Sequence, residues 1–229
     1  MTDVIAPRRC AVCHRVLGHG EQWLCRACLE QMPLTGYHSR EFKFNPMEQL
    51  FAGRVPIERA TALFHYRRGD PYASILHDIK YRHTPLLGTW LMERYARQLQ
   101  QIGWLDGITA VVPVPLHRSK LASRGYNQAL LLARGVAQAV PDIEVIEAVK
   151  AIRAHATQTH KNAIERQKNV QGCFAPTDDA ATRLADRHIL LVDDVVTTGS
   201  TLEACAQVLL EAVPGLKISI ISLAGATLD

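Results

Sequence analysis

Apolar and polar positions follow two different periods along this chain, and each period predicts one kind of element. From residue 59 onward, short apolar runs rich in β-branched residues alternate with longer runs of helical spacing. The runs that predict strands are residues 60–67, 108–115, 143–149, 188–194 and 217–225. The runs that predict helices are residues 72–82, 86–104, 127–140 and 201–213. This alternation predicts an α/β domain with a mostly parallel sheet of about five strands, covered by helices on both faces.

The first 55 residues show no sustained period. They hold four cysteines and are broken by prolines at positions 33 and 46. A segment of this size with so little periodic apolar sequence is not expected to bury a core by itself. We therefore predict a small N-terminal cysteine element at residues 1–55 and a larger domain at residues 56–229.

The four N-terminal cysteines have the spacing of a metal site. Cys10 and Cys13 form one Cys-x2-Cys pair, Cys25 and Cys28 form a second, and eleven residues separate the pairs. Two such pairs can close a tetrahedral shell of four thiolates around a structural Zn2+, with no open position for catalysis. The alternatives are two redox dithiols or unrelated buried cysteines, both of which this spacing disfavours.

Composition limits the remaining possibilities. The chain has 229 residues, 48% of them hydrophobic and 21% charged, which predicts a globular protein with one substantial core. Its apolar runs are shorter than the roughly 18 residues of a membrane-spanning helix. The sequence MTDVIAPRRC has no apolar signal core, so a cytoplasmic, reducing location is expected. The isolated Cys173 and Cys205 are then expected to be buried as small apolar side chains.

Positive charge is concentrated in the middle of the chain. The formal net charge is only +4, but residues 111–172 hold nine Lys or Arg against four Asp or Glu. This distribution predicts a field that attracts anions. The alternative for any single one of these residues is a solvated helix surface.

The stretch ILLVDDVVTTGST, residues 189–201, predicts a strand that ends at Asp193 and Asp194, then a loop and a helix. Unpaired amides and the positive dipole at a helix N-terminus bind phosphate, and two neighbouring carboxylates suit sugar hydroxyls or a hydrated Mg2+. Together they predict a site for a 5-phosphorylated ribose. Solvated acids followed by a helix cap would explain each residue singly. The predicted phosphate loop is Thr197, Thr198, Gly199, Ser200 and Thr201.

This stretch resembles the signature of type I phosphoribosyltransferases, in which adjacent acids contact the ribose hydroxyls of phosphoribosyl pyrophosphate and the next loop binds its 5-phosphate. Other stretches narrow the resemblance to the ComF family, bacterial proteins tied to natural competence and the use of external DNA. They are the cysteine quartet, LHDIKYR (76–82), VPVPLHRSKLASRGYNQA (112–129) and QTHKNAIERQKNVQGCF (158–174). The resemblance covers most of the chain and implies a phosphoribosyltransferase-like fold with a zinc ribbon, Mg2+ as a cofactor, and orientation of the ribose by Asp193 and Asp194.

Several cations follow the predicted strand 108–115. This strand is expected to end at the same edge of the sheet as the strand that carries the aspartates. We expect these residues to bind pyrophosphate, with the two arginines as the bidentate contacts. They are His117, Arg118, Lys120 and Arg124. Asn127 and Gln128 start the next predicted helix, where capping and ligand binding remain equal alternatives.

Two further segments are expected near the site. Lys80 and Arg82 form part of a hood over it, unless they are a solvated helix end. Gln158, Lys161 and Arg166 lie in a polar segment that suits a loop closing over an anion. The sequence departs from the family pattern here: His155 stands where a Thr is common, Lys161 replaces a Leu, and there is no second cysteine set.

Two functions follow from these features. The first is a phosphoribosyltransferase-like protein that binds phosphoribosyl pyrophosphate with Mg2+ and acts in DNA uptake or utilisation. The second is a non-catalytic module that binds a nucleotide or single-stranded DNA at the same site, with the cysteine element contacting other DNA-uptake proteins. The acceptor and the oligomeric state are not predicted.

Overall fold

A computed structural model describes residues 7–39, 44–81, 84–153 and 172–226. The strands are β1 (Arg59–Tyr66), β2 (Ala110–Pro113), β3 (Glu144–Val145), β4 (Val149–Ala151), β5 (Phe174–Pro176), β6 (His188–Val196) and β7 (Lys217–Ala226). The helices are α1 (Arg26–Glu30), α2 (Pro46–Gln49), α3 (Ala73–Tyr81), α4 (Pro85–Gln101), α5 (Arg118–Arg124), α6 (Gln128–Ala139), α7 (Ala180–Leu184) and α8 (Ser200–Ala212).

Five of these strands form one parallel sheet in the order β1, β7, β6, β2, β3. Along β6, Leu190 and Val192 pack into the core that contains α3, α4 and α6, while Ile189 and Leu191 pack into the core that contains α8. Successive side chains of a strand point to opposite faces, so an unbroken apolar run requires cover on both. The predicted α/β class, with its parallel five-stranded sheet, is confirmed.

The run 143–149, predicted as one strand, contributes to two sheets. β3 pairs with β2, and the Ile146 amide still donates to the Val111 carbonyl at 3.0 Å. The Ala148 amide then donates to the Ile146 carbonyl at 3.1 Å. This tight turn takes the chain away from the sheet edge, and β4 pairs antiparallel with β5 instead. Because Ile146 and Ala148 are both buried, the apolar pattern alone could not reveal the turn.

The observed strand that carries the aspartates is longer than the predicted strand 188–194. β6 continues past Asp194 to Val196, because β7 runs beside it and supplies ladder partners to that point. Helix α8 begins at Ser200, one residue before the predicted run 201–213. The connection between strand and helix is therefore only three residues long, and the predicted phosphate segment includes the first turn of the helix.

The N-terminal segment covers the outer edge of β1. The Thr35 amide donates to the Leu63 carbonyl at 3.1 Å, and the Asn45 side-chain amide donates to the Ala60 carbonyl at 2.9 Å. Covering an edge strand in this way occupies backbone groups that would otherwise be open to association. The division between the cysteine element and the larger domain remains a prediction.

Candidate functional site

Two carboxyl groups lie side by side near the carboxyl end of β6. Asp193 accepts a hydrogen bond from the Asp194 amide at 2.8 Å. Asp194 is 7% exposed, and its Oδ2 atom lies 3.0 Å from the Lys80 Nζ atom at the end of α3. Burial, followed by the charge of Asp194, raises the pKa of Asp193 to about 7. The structure therefore places Asp194 in an ion pair with Lys80 and gives Asp193 a pKa near neutral pH.

Three cations surround this pair of acids. Burial lowers the pKa of Lys120, the charges of Arg124 and Lys80 lower it further, and the two aspartates oppose the effect. Lys120 therefore lies close to the other two cations and to both acids, because charges more than about 10 Å apart are largely screened at ordinary salt. Helices α3 and α5 thus bring three positive side chains to the carboxyl edge of β6, forming a mixed cluster that suits a ligand with both hydroxyl and phosphate groups.

The connection from β6 to α8 offers unpaired amides. The amides of residues 197–199 donate no hydrogen bond to any group in the part of the chain that the structure describes. The first helical bond is that of the Glu203 amide to the Gly199 carbonyl, at 2.8 Å, so the amides of the first turn of α8 have no partner within the helix. Thr198 Oγ1 and Ser200 Oγ lie 2.9 Å apart beside them. The segment has the donors that a phosphate group requires.

Of the residues expected to bind pyrophosphate, the structure brings Lys120 and Arg124 to the acids, while His117 and Arg118 lie at the start of α5 and their role remains a prediction. His117 caps α5, its Nδ1 atom accepting from the Ser119 amide at 3.3 Å. Arg118 is exposed in the first turn of the same helix. His117 caps the helix because its backbone is extended directly before α5, where its ring nitrogen meets an unpaired amide.

Asn127 and Gln128, for which capping and ligand binding were equal alternatives, have partners within the protein. Asn127 Oδ1 caps α6 by accepting from the Ala129 amide at 3.1 Å, and its amide group donates to the Val114 carbonyl at 3.0 Å. Gln128 Oε1 accepts from Arg124 Nη1 at 2.5 Å. Gln128 therefore orients a cation of the site. The remaining predicted residues lie outside the described ranges: Arg82, His155, Gln158, Lys161 and Arg166.

Sequence reasoning missed two side chains at the site. Tyr81 is 61% exposed, and the Arg124 guanidinium lies 5.3 Å from the centre of its ring. Arg54 donates to the Thr198 carbonyl at 2.9 Å and forms an ion pair with Glu203. Tyr81 stands between two basic residues in the sequence, which is a weak signal of a ligand surface. Arg54 is 144 positions from Thr198, so no local pattern could have indicated its contact.

The four N-terminal cysteines converge. The Sγ atoms of Cys10, Cys13, Cys25 and Cys28 all lie within 4.8 Å of one another, and those of Cys13 and Cys25 are 3.7 Å apart. A tetrahedral shell with Zn–S bonds of about 2.3 Å has sulfur atoms about 3.8 Å apart, so the cluster fits that metal. Although burial opposes ionisation, hydrogen bonds led by the Cys28 amide lower the pKa of Cys25 to about 6. The set could hold a zinc ion as four thiolates.

Gly199 has a backbone conformation and a close neighbour that both exclude a side chain. Its φ is +73°, and a Cβ atom there would lie 3.0 Å from the Phe51 ring. Gly199→Ala is expected to lower the free energy of unfolding by roughly 2 kcal/mol, because the left-handed backbone and the aromatic contact both resist a side chain. Denaturant unfolding measures the loss. Gly69→Ala is the matched control, since Gly69 has φ of +86° and open space around it; equal losses in the two variants would contradict the role of Phe51.

Comparison with known proteins agrees with this geometry. Residues 123–226 match the family model described as phosphoribosyl transferase domain, a range that contains Arg124, both aspartates and the phosphate loop. Together with the parallel sheet, this match defines the chain as a protein with a phosphoribosyltransferase domain. No helix within the described ranges is long and apolar enough to cross a membrane.

Individual relatives indicate a narrower class of protein than the domain match does. The chain is 28% identical over 204 residues to DNA utilization protein YhgH of Escherichia coli (strain K12), covering 88% of this chain and 83% of that protein. It is 26% identical over 212 residues to Competence protein F of Haemophilus influenzae, covering 88% and 90%. These relatives, together with the matched domain, support the resemblance to the ComF family. Among solved structures, the allosteric regulatory enzyme of purine biosynthesis aligns with 58% of this chain and 25% of its own, at 15% identity and a TM-score of 0.36.

Proposed function

We propose that this protein binds phosphoribosyl pyrophosphate together with Mg2+ and acts as a phosphoribosyltransferase in DNA uptake or utilisation. The observation that carries the proposal is the juxtaposition of the acid pair on β6 with the unpaired amides that follow it. A 5-phosphate would accept hydrogen bonds from those amides while the ribose hydroxyls donate to the carboxylates. The names of the relatives, DNA utilization protein and Competence protein F, support the process.

The three cations would hold the pyrophosphate. In the ligand-free structure the Lys80 ammonium lies 3.0 Å from an Asp194 carboxylate oxygen. When ribose hydroxyls take the place of this cation at the carboxylate, the ammonium becomes free to contact the pyrophosphate beside Lys120 and Arg124. The charge of the leaving group would thus be matched by side chains already held near the site.

The reaction would be a displacement at C1 of the ribose. The bond between C1 and the pyrophosphate oxygen breaks, pyrophosphate leaves with the electron pair, and a nitrogen of the acceptor bonds to C1 and releases its proton to water. Positive charge develops on the sugar ring, where Asp193 and Asp194 can stabilise it. The carboxylate oxygens are hard donors that fit Mg2+ directly or through water. Bound with the ligand, Mg2+ would supply charge neutralisation of the pyrophosphate.

The cysteine cluster would hold a structural zinc. Four thiolates complete a tetrahedral shell, so the metal has no open position for substrate. Arg15 lies at the same cluster, where a hydrogen bond to the Cys25 sulfur raises the pKa of its guanidinium. A cation beside four thiolates offsets part of the negative charge that a Zn2+ ion leaves uncompensated. The zinc would therefore stabilise the fold and take no part in the reaction.

A second candidate function is the binding of single-stranded DNA without chemistry. The exposed Tyr81 ring beside the Arg124 guanidinium favours it, because single strands bind by stacking bases on aromatic rings near cations. In this case the phosphate loop would hold a nucleotide or a strand end. The two functions differ in their ligand requirements, which makes them separable by titration.

Calorimetric titration of the wild-type protein tests both candidates. We expect phosphoribosyl pyrophosphate to bind in the presence of Mg2+ and more weakly after chelation of Mg2+. A short single strand is titrated at about 50 mM and about 200 mM salt, since strand binding through phosphates weakens steeply over this range. Binding of the strand alone, with no heat from the sugar phosphate, would reject the first function in favour of the second. Pyrophosphate release with a nucleobase or amine present would establish turnover.

A further inference from the structure

Arg54 connects the segment after α2 to the segment before α8. Its Nη1 atom donates to the Leu50 carbonyl at 2.7 Å and to the Thr198 carbonyl at 2.9 Å, and its Nη2 atom pairs with the Glu203 carboxylate. The Arg54 side chain is 26% exposed and that of Glu203 is 13% exposed. A planar guanidinium that meets three acceptors has little freedom to move, so these contacts fix the distance between the two segments.

The contact to the Thr198 carbonyl also sets the direction of the next amide. In a planar trans peptide the carbonyl oxygen and the following N–H point in opposite directions. Holding the Thr198 carbonyl toward Arg54 therefore directs the Gly199 N–H away from Arg54 and the segment that carries it. Nothing in the described part of the chain accepts a hydrogen bond from this N–H. It is one of the donors assigned above to the 5-phosphate.

Two neighbours restrain Gly199 from other sides. The Phe51 ring lies 3.0 Å from the position that a Cβ atom would occupy on Gly199, which blocks movement toward α2. Glu203 donates its own amide to the Gly199 carbonyl at 2.8 Å while its carboxylate holds Arg54. Two successive peptides are thus held by their carbonyls, Thr198–Gly199 by Arg54 and Gly199–Ser200 by the Glu203 amide, and Arg54 comes from outside the matched domain, which begins at residue 123.

We infer that Arg54 is a positioning residue for the 5-phosphate: it orients the Gly199 amide toward the ligand from a segment that precedes the phosphoribosyltransferase domain. The inference rests on the proposed function, because it assumes that a phosphate occupies this loop. It assigns the N-terminal segment a part in ligand affinity in addition to its packing on the sheet. The pyrophosphate end of the site, built from α3 and α5, should not depend on Arg54.

Separate titrations with ribose 5-phosphate and with inorganic pyrophosphate test the inference. Arg54→Ala is expected to weaken ribose 5-phosphate about tenfold, the equivalent of one charge-assisted hydrogen bond lost from the network that holds the loop. Pyrophosphate affinity is expected to change less than about twofold. Arg54→Lys should recover part of the loss, because an ammonium can still pair with Glu203 but cannot reach three acceptors in one plane.

Controls separate positioning from general loss of stability. Arg183→Ala is the matched variant, since Arg183 also forms an ion pair between elements, with Glu144 at 2.7 Å, but lies near the opposite end of the sheet. It should leave both affinities unchanged.

If Arg54→Ala does not fold, Arg54→Lys and Glu203→Gln carry the same comparison. Equal weakening of both ligands, or no weakening of ribose 5-phosphate while the wild type binds it, would overturn the inference alone. Failure of the wild type to bind ribose 5-phosphate would remove the proposed function and this inference together.

Discussion

Cys25→Ser is expected to abolish zinc binding and to destabilise the whole chain. Cys25 caps α1, its Sγ atom accepting from the Cys28 amide at 3.4 Å, and its pKa of about 6 makes it a ready thiolate. Serine is a poor zinc ligand, so the shell is left with three thiolates. The apparent binding energy of a structural zinc, roughly 10–16 kcal/mol, is as large as the whole stability of a typical domain, roughly 5–15 kcal/mol.

The effect should extend beyond the cysteine loops because they share a core with the helices. Leu17 and Leu24 pack into the same apolar cluster as α3 and α4. The Tyr72 hydroxyl donates to the Cys28 carbonyl at 2.7 Å, which connects the second cysteine pair to the segment before α3. Unfolding of the loops would expose this apolar surface and remove the partner of a buried hydroxyl. We therefore expect a large fall in the melting temperature of the full chain.

Metal analysis and thermal unfolding measure the two parts of this prediction. Wild-type protein should contain one zinc per chain and the variant none. Cys173→Ala is the control, because Cys173 is buried away from the quartet and its loss should leave the zinc content unchanged. A variant that melts at the wild-type temperature without metal would contradict the structural role of zinc.

The elements that the sequence predicted well are those with both faces buried. β6 and β7 are long, apolar and central in the sheet, so their apolar runs match the observed strands closely. The cysteine cluster was equally predictable, because ligand spacing is a local property that metal geometry restricts. In both cases the physical requirement acts within a short stretch of sequence.

What could not be predicted depends on contacts between distant segments. The apolar run 143–149 contains no residue that signals its turn, and only the position of β2 explains where pairing stops. Arg54 would be read as one more basic residue of the cysteine element until the fold brings it to Thr198. For Asn127, a helix cap and a ligand contact suit the same residue type, and the structure shows the cap. Long-range packing decides between such alternatives.

Asp193→Asn is expected to change two properties in opposite directions. The ribose site should lose affinity for phosphoribosyl pyrophosphate by about a hundredfold, because a charged acceptor of hydroxyl protons is replaced by a weaker neutral one. The ligand-free protein should become more stable near pH 8, because a partly buried charge beside Asp194 is removed. Asparagine keeps the side-chain oxygen that accepts from the Asp194 amide, so the local backbone is expected to hold its conformation.

The effect of Asp193→Asn on stability should depend on pH. The carboxyl of Asp193 has a pKa of about 7 in the folded protein, against 3.8 ordinarily. Between these values the folded chain holds a proton that the unfolded chain has released, so stability falls as the pH rises from about 4 to about 7. Asparagine has no such proton, and the advantage of Asp193→Asn should grow over this interval to roughly 1–2 kcal/mol, because solvent that reaches the partly exposed carboxyl screens part of the penalty. Denaturant unfolding at pH 5 and pH 8 measures it, with Asp178→Asn as the exposed control. A variant less stable than the wild type at pH 8 would show that the carboxylate is compensated within the ligand-free site.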